Sequence, residues 1–157
     1  MWKLALSVAL ILAVIVMVQL ARETSKQTMP TQYDDGIIQL AGQTLNIELA
    51  KTAQKQRIGL GGRDSIGENE GMLFVYNQAK PHGFWMKGML MPIDIIWIDG
   101  NRIVDISAEV QPQPGASDRD LQLYSPKSPA DKVLEVSSGW AKRNGLTIGD
   151  VVQISLP

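Results

Sequence analysis

The sequence of 157 residues contains no cysteine and a single histidine, His82. The lack of cysteine excludes disulfides, a thiolate nucleophile, cysteine-ligated zinc and iron–sulfur clusters. One histidine is too few for a histidine-cluster metal site. The formal net charge of −1 lacks the basic surplus that broad nucleic-acid binding requires, so nucleic acid is not an expected partner.

Recognisable catalytic signatures are missing as well. The sequence has no phosphate loop, no dinucleotide-binding glycine pattern, no serine nucleophile elbow and no metalloprotease helix. None of its segments repeats another. We therefore predict no cofactor, and the sequence favours a protein that is not an enzyme while leaving enzymatic activity open.

The most distinctive segment is a long apolar run from Leu4 to Ala21, interrupted only by Ser7 and Gln19. As a helix, about 18 residues extend about 27 Å, close to the hydrocarbon thickness of a bilayer of roughly 30 Å. A cleaved secretory signal usually has a shorter run and a small-x-small cleavage site, which Gln19 and Ala21 fit poorly. We predict a membrane anchor over 1–21 with the domain in the periplasm or cell exterior; the alternative is secretion after signal cleavage.

A polar linker over 22–35 is predicted to precede a β-rich domain over 36–157. Short apolar or alternating runs separated by Gly, Pro and Asn predict strands, and two capped segments predict short helices. The predicted strands cover 37–40, 44–49, 71–76, 83–87, 93–98, 102–108, 132–136 and 151–156, and the predicted helices cover 53–59 and 139–144. This pattern indicates an α+β fold, either a small mixed sheet or a partly closed barrel with two short helices, after one N-terminal transmembrane helix.

Three motifs in this domain resemble a known family. They are EGMLF over 70–74, FWMK over 84–87 and PIDII over 92–96. Together they resemble domain-of-unknown-function family 192, an uncharacterised protein family, over about residues 36 to 156. The resemblance implies a compact β-rich domain, often exported or anchored, with no established activity. After the lysine the family usually has Asn and Thr where this chain has Gly88 and Met89, so a function that uses those polar side chains is in question here.

Asp94 is the residue in this domain that most needs an explanation, because it interrupts an apolar strand. Burial of a carboxylate without a partner costs several kcal/mol or raises its pKa until it is neutral. Lys87 is the nearest candidate partner in the sequence, with Arg57 and Arg63 as alternatives. Asp94 either fixes the Gly88–Pro92 loop through backbone N–H groups or forms a polar spot at the mouth of a pocket.

Aromatic residues around Asp94 suggest what such a pocket would bind. Their rings either fill the core or line a groove suited to a peptide or glycan. These residues are Phe84, Trp85, Trp97, Tyr76 and Tyr124. The first hypothesis is therefore a binding or interaction module for a peptide, glycan or envelope protein, with Trp85, Lys87, Asp94 and Arg57 as candidate ligand-binding residues. A second hypothesis is an enzyme that uses Asp94 and Lys87 as an acid/base pair.

A third hypothesis concerns the methionine pattern Met86, Met89 and Met91, with His82 close in sequence. Thioether sulfur is a soft ligand that favours copper(I), and an exported domain would suit copper handling. Methionine is also an ordinary filler of irregular core gaps. The sequence leaves both readings open.

Overall fold

The computed structural model describes residues 35–157. The predicted anchor over 1–21 lies outside the described residues, as does the predicted linker over 22–35 except for Asp35, the first residue of β1. Within the described part of the chain, no helix has the length and apolar character needed to cross a membrane.

Nine strands and two short helices form the domain. In chain order they are β1 Asp35–Leu40, β2 Gln43–Ala50, α1 Ala53–Ile58, β3 Glu70–Lys80, β4 Phe84–Trp85, β5 Ile93–Asp99, β6 Arg102–Val110, β7 Leu123–Tyr124, β8 Ala130–Ser137, α2 Trp140–Arg143 and β9 Gln153–Ser155. Seven strands form one sheet in the order β6-β5-β8-β3-β2-β1-β9, and β4 pairs with β7 in a second, two-stranded sheet. Every pair is antiparallel except β2 with β3, which are joined by the crossover through α1.

The seven-stranded sheet curls until its two edges approach each other. Arg102, the first residue of β6, forms an antiparallel β-bridge with Val151, which precedes β9. Backbone hydrogen bonds extend this seam: Ile103 N donates to Asp150 O at 3.0 Å, and Val152 N donates to Asn101 O at 2.9 Å. Pairing of this kind removes free sheet edges. The β-rich fold expected from the sequence is thereby confirmed, as a curled half-barrel with two short helices.

Because side chains alternate across a strand, the sheet has an inner and an outer apolar face. The inner face encloses a core that includes Leu45, Ile96 and Leu134, and α2 inserts the buried ring of Trp140 into it. The outer face carries a second core around Phe74. Its other members are Ala50, Leu60, Met72, Phe84, Met86, Met89, Met91, Ile93, Ile95, Trp97, Val110, Ala130 and Val133. The strands β4 and β7 and the turn after α1 cover this outer core.

Candidate functional site

The carboxylate of Asp94 is completely buried and is satisfied by backbone groups alone. Its Oδ1 accepts hydrogen bonds from Glu109 N at 2.7 Å and Gly139 N at 2.9 Å. Its Oδ2 accepts from Ala141 N at 2.9 Å. Gly139 and Ala141 begin α2, which has no side-chain cap among its own residues, so the carboxylate of Asp94 satisfies these backbone N–H groups instead. The expectation that Asp94 accepts hydrogen bonds from the Gly88–Pro92 loop is therefore wrong. The N–H groups that donate to it belong to β6 and to the start of α2.

The expected ion pair between Lys87 and Asp94 is also wrong. Lys87 Nζ lies 2.5 Å from Asp118 Oδ2, and no ion pair in the described part of the chain includes Asp94. Strand register explains the separation, because Asp94 is paired with Val136 whereas Ile95 is paired with Glu135. Successive residues point to opposite faces, so Asp94 lies inside the barrel and Glu135 lies on the outer face. Asp94 and Lys87 have separate partners and lie apart, so they do not form the acid/base pair of the enzyme hypothesis.

Three of the four predicted ligand-binding residues do come together, on the outer face. Arg57, Trp85 and Lys87 line one open pocket of about 70 Å³. The turn after α1 forms one wall, β4 forms another, and Glu135 of β8 lies at the floor. Asp94 does not line it. The remaining lining residues are Gln56, Ile58, Gly59, Leu60, Phe74, Tyr76, Gly83, Phe84 and Met89.

Glu135 is the candidate site residue that the sequence did not reveal. Its side chain is 5% exposed, and its Oε2 is buried without a hydrogen-bond partner among the described residues. Burial raises its pKa from 4.5 to about 8, partly offset by the positive charge of Arg63. Gly59 leaves room above it, since a Cβ at Gly59 would lie 3.8 Å from that oxygen. At neutral pH the pocket floor is therefore a neutral carboxyl group with unused hydrogen-bonding capacity.

The phenol of Tyr76 lines the same pocket. Burial, and then the nearby carboxyl of Glu135, raise the pKa of Tyr76 to about 12. The ring of His82 stacks on Tyr76 with 3.6 Å between ring centroids. Burial lowers the pKa of His82, although its contact with the carbonyl of Gln78 acts in the opposite direction. Both side chains are consequently uncharged between pH 7 and 9.

Positive charge and apolar surface border the pocket opening. Arg57 is exposed, and within residues 35–157 it takes part in no ion pair. Lys87 Nζ lies 5.5 Å from the centroid of the Trp85 ring, a cation–π contact, while also contacting Asp118. Trp85 is 43% exposed, and Leu123, its partner across the β4–β7 pair, is 63% exposed.

The other aromatic residues belong mainly to the core. Phe84 packs edge-to-face on Phe74 at 4.9 Å and on Trp97 at 5.4 Å between ring centroids. Trp97 is fully buried and donates from Nε1 to Ser107 Oγ at 3.1 Å. Of the candidate groove residues, Trp85 is the exposed aromatic side chain, whereas Tyr76 and Tyr124 are half-buried.

The three methionines of the copper(I) hypothesis are packed into the outer core. Met86, Met89 and Met91 are 2%, 8% and 7% exposed. His82 is 8% exposed and contacts Gln78 O through Nε2 at 3.3 Å. Among the described residues, no group of three or more His, Asp or Glu side chains is arranged to hold a metal ion. Core packing accounts for the methionines, and copper(I) binding stays a prediction.

The residue that follows Lys87 has a backbone conformation that explains its identity. Gly88 has a φ of 69°, in the left-handed region that glycine and asparagine adopt most readily. A Cβ at this position would meet nothing within 4 Å. The turn that carries Lys87 therefore accepts either Gly or Asn.

The model of domain-of-unknown-function family 192, described as "Uncharacterized ACR", matches residues 36–154. The chain belongs to this family. None of the curated proteins compared with it matches.

Two solved structures resemble this member of domain-of-unknown-function family 192. One is a candidate transcription regulator from Sinorhizobium meliloti 1021, 28% identical, covering 78% of this chain and 95% of its own, with a TM-score of 0.69. The other is a protein of unknown function from Novosphingobium aromaticivorans DSM 12444, 31% identical, covering 76% of this chain and 82% of its own, with a TM-score of 0.65. They agree with the β-rich fold of the family member described above.

Proposed function

We propose that this domain is a binding module whose ligand site is the outer-face pocket of Arg57, Trp85, Lys87 and Glu135. The observation that carries the proposal is the buried Glu135 Oε2, which has no hydrogen-bond partner among the described residues, at the floor of an open pocket. Buried polar atoms in folded proteins nearly always have a partner, and an unpartnered one in a pocket with a strongly raised pKa is typical of a functional site.

The size of the pocket limits what enters it. Ligand pockets for whole drug-sized molecules measure roughly 300–1,000 Å³, several times the 70 Å³ seen here. A single polar group of a larger ligand or partner fits, while the rest of that ligand would lie across the exposed surfaces of Trp85 and Leu123. A peptide, a glycan or an envelope protein could supply such a group, and we propose a partner of this kind.

A thermal-shift screen of the full chain tests the binding proposal. The screen uses small carboxylates, phosphates, amines and sugars at millimolar concentration. We expect at least one class to raise the thermal midpoint by several degrees, because ligand at about 100 times its Kd adds about 2.7 kcal/mol of stability. Trp85→Ala should remove the shift, and Ile148→Ala, which truncates another exposed apolar side chain away from the pocket, should keep it. Equal shifts in the two variants, or none in the parent protein, would refute the proposal.

We further propose that the module is held at a membrane by residues 1–21, with the domain on the periplasmic or outer side. The apolar run from Leu4 to Ala21 supports this arrangement. Membrane fractionation, followed by protease treatment of cells with a permeabilised outer envelope, provides the test. The full chain should sediment with membranes and be digested, and a chain lacking residues 1–21 should be soluble and protected. Recovery of the intact full chain in the soluble fraction would contradict the anchor, and recovery of a shortened one would indicate signal cleavage.

A further inference from the structure

The charges around the pocket do not cancel. The charged or titratable side chains that line it are Arg57, Lys87, Glu135 and Tyr76. Lys87 forms an ion pair with Asp118 at 2.5 Å, and these side chains are 49% and 63% exposed. Arg57 also lines the pocket and has no ion pair within the described residues, so its charge is uncompensated there. The opening therefore carries one unopposed positive charge beside an apolar ring, Trp85.

From this arrangement we infer that the pocket binds a carboxylate group, with Arg57 as its counter-charge and Glu135 Oε2 as its hydrogen-bond partner at the floor. The inference rests on the proposed binding function and specifies its ligand. A guanidinium group has the opposite charge to a carboxylate, and its planar geometry allows two parallel hydrogen bonds to it. Below it, a protonated Glu135 can donate its O–H to a carboxylate oxygen, and the exposed face of Trp85 receives the carbon skeleton of the ligand.

Other ligand charges fit less well. An ammonium group would face the guanidinium of Arg57 and, at neutral pH, a floor without negative charge. A phosphate carries up to two negative charges and three acceptor oxygens, whereas one unpaired cation and about 70 Å³ are available. A carboxylate matches the single charge and the small volume. It can belong to a free organic acid or to the C-terminus of a peptide, which share this chemistry.

The inferred binding mode has a characteristic pH dependence. Arg57, Lys87 and Tyr76 share the pocket lining with Glu135. The positive charge that acts on the Glu135 carboxyl belongs to Arg63, which donates two hydrogen bonds to Glu48 from the turn after α1. Burial raises the pKa of Tyr76 to about 12 and lowers the pKa of His82, which stacks on Tyr76, so these two side chains keep their charge between pH 7 and 9. Glu135 does lose its proton in that range, since its pKa is about 8. A ligand that binds the protonated form alone should lose about tenfold in affinity from pH 7 to pH 9.

Calorimetric titration of the full chain with matched probes tests the inference. The probes are 3-phenylpropionate, its primary amide, phenethylamine, inorganic phosphate, and one short peptide with either a free or an amidated C-terminus. We expect the carboxylate or the free-terminus peptide to bind at least ten times more tightly than its amide, and more tightly than the amine or phosphate. Whichever of these two binds more tightly identifies the source of the carboxylate.

Variants separate the roles of the two residues. Arg57→Gln should weaken carboxylate binding at least tenfold, whereas Lys142→Gln, which removes an exposed cation from α2, should not. Glu135→Gln keeps a hydrogen-bond donor, so it should bind carboxylate with the same affinity at pH 7 and pH 9. Arg57 is exposed, so its variant should fold, and the thermal midpoints of all variants without ligand verify folding.

A preference for the amine, phosphate or amide, or an unchanged affinity in Arg57→Gln, overturns this inference and leaves the binding function standing. Failure of every probe here, together with a negative screen above, refutes both.

Discussion

Asp94 and Glu135 are carboxyl-bearing residues on the paired strands β5 and β8, and the register of that pair sends them to opposite faces. Asp94 meets three backbone N–H groups, which replace the water it loses on burial. Glu135 lines a small pocket, and its Oε2 has no hydrogen-bond partner among the described residues. Asp94 was identified from the sequence as a candidate site residue and Glu135 was not. Their different surroundings explain why we assign a structural role to Asp94 and a binding role to Glu135.

Removing the charge of Asp94 should destabilise the domain. Asp94→Asn replaces one acceptor oxygen with an NH₂ group that faces a backbone N–H, so hydrogen bonds to a charged acceptor are lost inside the core. We expect the free energy of unfolding to fall by about 2–4 kcal/mol, measured by urea denaturation. Asp120→Asn, in an exposed loop, serves as the control and should change it by less than about 0.5 kcal/mol. Similar values for the two variants would contradict the structural role.

Glu135 should make stability fall as pH rises. The unfolded chain ionises this carboxyl near its ordinary pKa of 4.5, whereas the folded protein retains the proton up to about pH 8. The associated stability is fully present below pH 4.5, declines between pH 4.5 and 8, and is constant above that. Because a tenfold change in a protonation equilibrium is worth about 1.4 kcal/mol, the total decline is on the order of 5 kcal/mol.

Glu135→Gln, which stays neutral, provides the measurement for this prediction. Its stability relative to the parent protein should increase from pH 5 to pH 8 in urea denaturation. Asp64→Asn, a change at an exposed carboxylate, should show no such trend. A constant difference between the parent protein and Glu135→Gln over this range would show that Glu135 is not held protonated by the fold.

At the scale of elements, alternation and turn residues were sufficient to predict most of the sheet. The hairpin between β1 and β2, for example, turns at Ala41 and Gly42, both with positive φ, in the gap between the predicted strands over 37–40 and 44–49. β7 was missed because Leu123–Tyr124 is a two-residue strand inside a polar loop, and its partner β4 is distant in the chain. The site was predicted only in part, because residues that are distant in the chain form it. Sequence proximity brought Trp85 and Lys87 together, but only the register of β5 and β8 excludes Asp94 and adds Glu135.

Gly88, in the turn after β4, has a left-handed backbone conformation that limits which residues this turn accepts. Gly88→Asn should cost less than about 1 kcal/mol, because asparagine tolerates the left-handed conformation and a Cβ there meets nothing. Gly88→Val should cost at least about 1 kcal/mol more, since a β-branched residue does not adopt this conformation readily. Thermal or urea denaturation of the two variants measures the difference. Equal costs would show that the turn can change its backbone conformation.

At the scale of the whole molecule, the protein combines a large curled sheet with a small two-stranded sheet that borders the pocket. The central strands β5 and β8 are hydrogen-bonded on both sides over six paired residues or more, whereas β4 and β7 form two residue pairs. Local stability follows the extent of such pairing and burial. The wall of the pocket that carries Trp85 is therefore the less stable part of the structure.

Hydrogen exchange should reveal this difference. Amides of β4 and β7 should exchange at least about ten times faster than those of β5 and β8, because they open without unfolding of the large sheet. A bound ligand that contacts Trp85 should slow exchange in β4 and β7 and leave the central strands unchanged. Uniform exchange rates throughout the domain would contradict this division.

The pairing of β1 with β9 has one more consequence. Ile37 lies directly opposite Ser155, so the first and last strands of the domain are immediate neighbours in an antiparallel pair. A linker of a few glycines can therefore fuse Pro157 to Asp35, and new termini can be cut within the exposed loop over 112–117, away from the seam. Such a circular permutant should keep the native circular dichroism spectrum and cooperative melting, because it preserves every strand pair while reordering the chain.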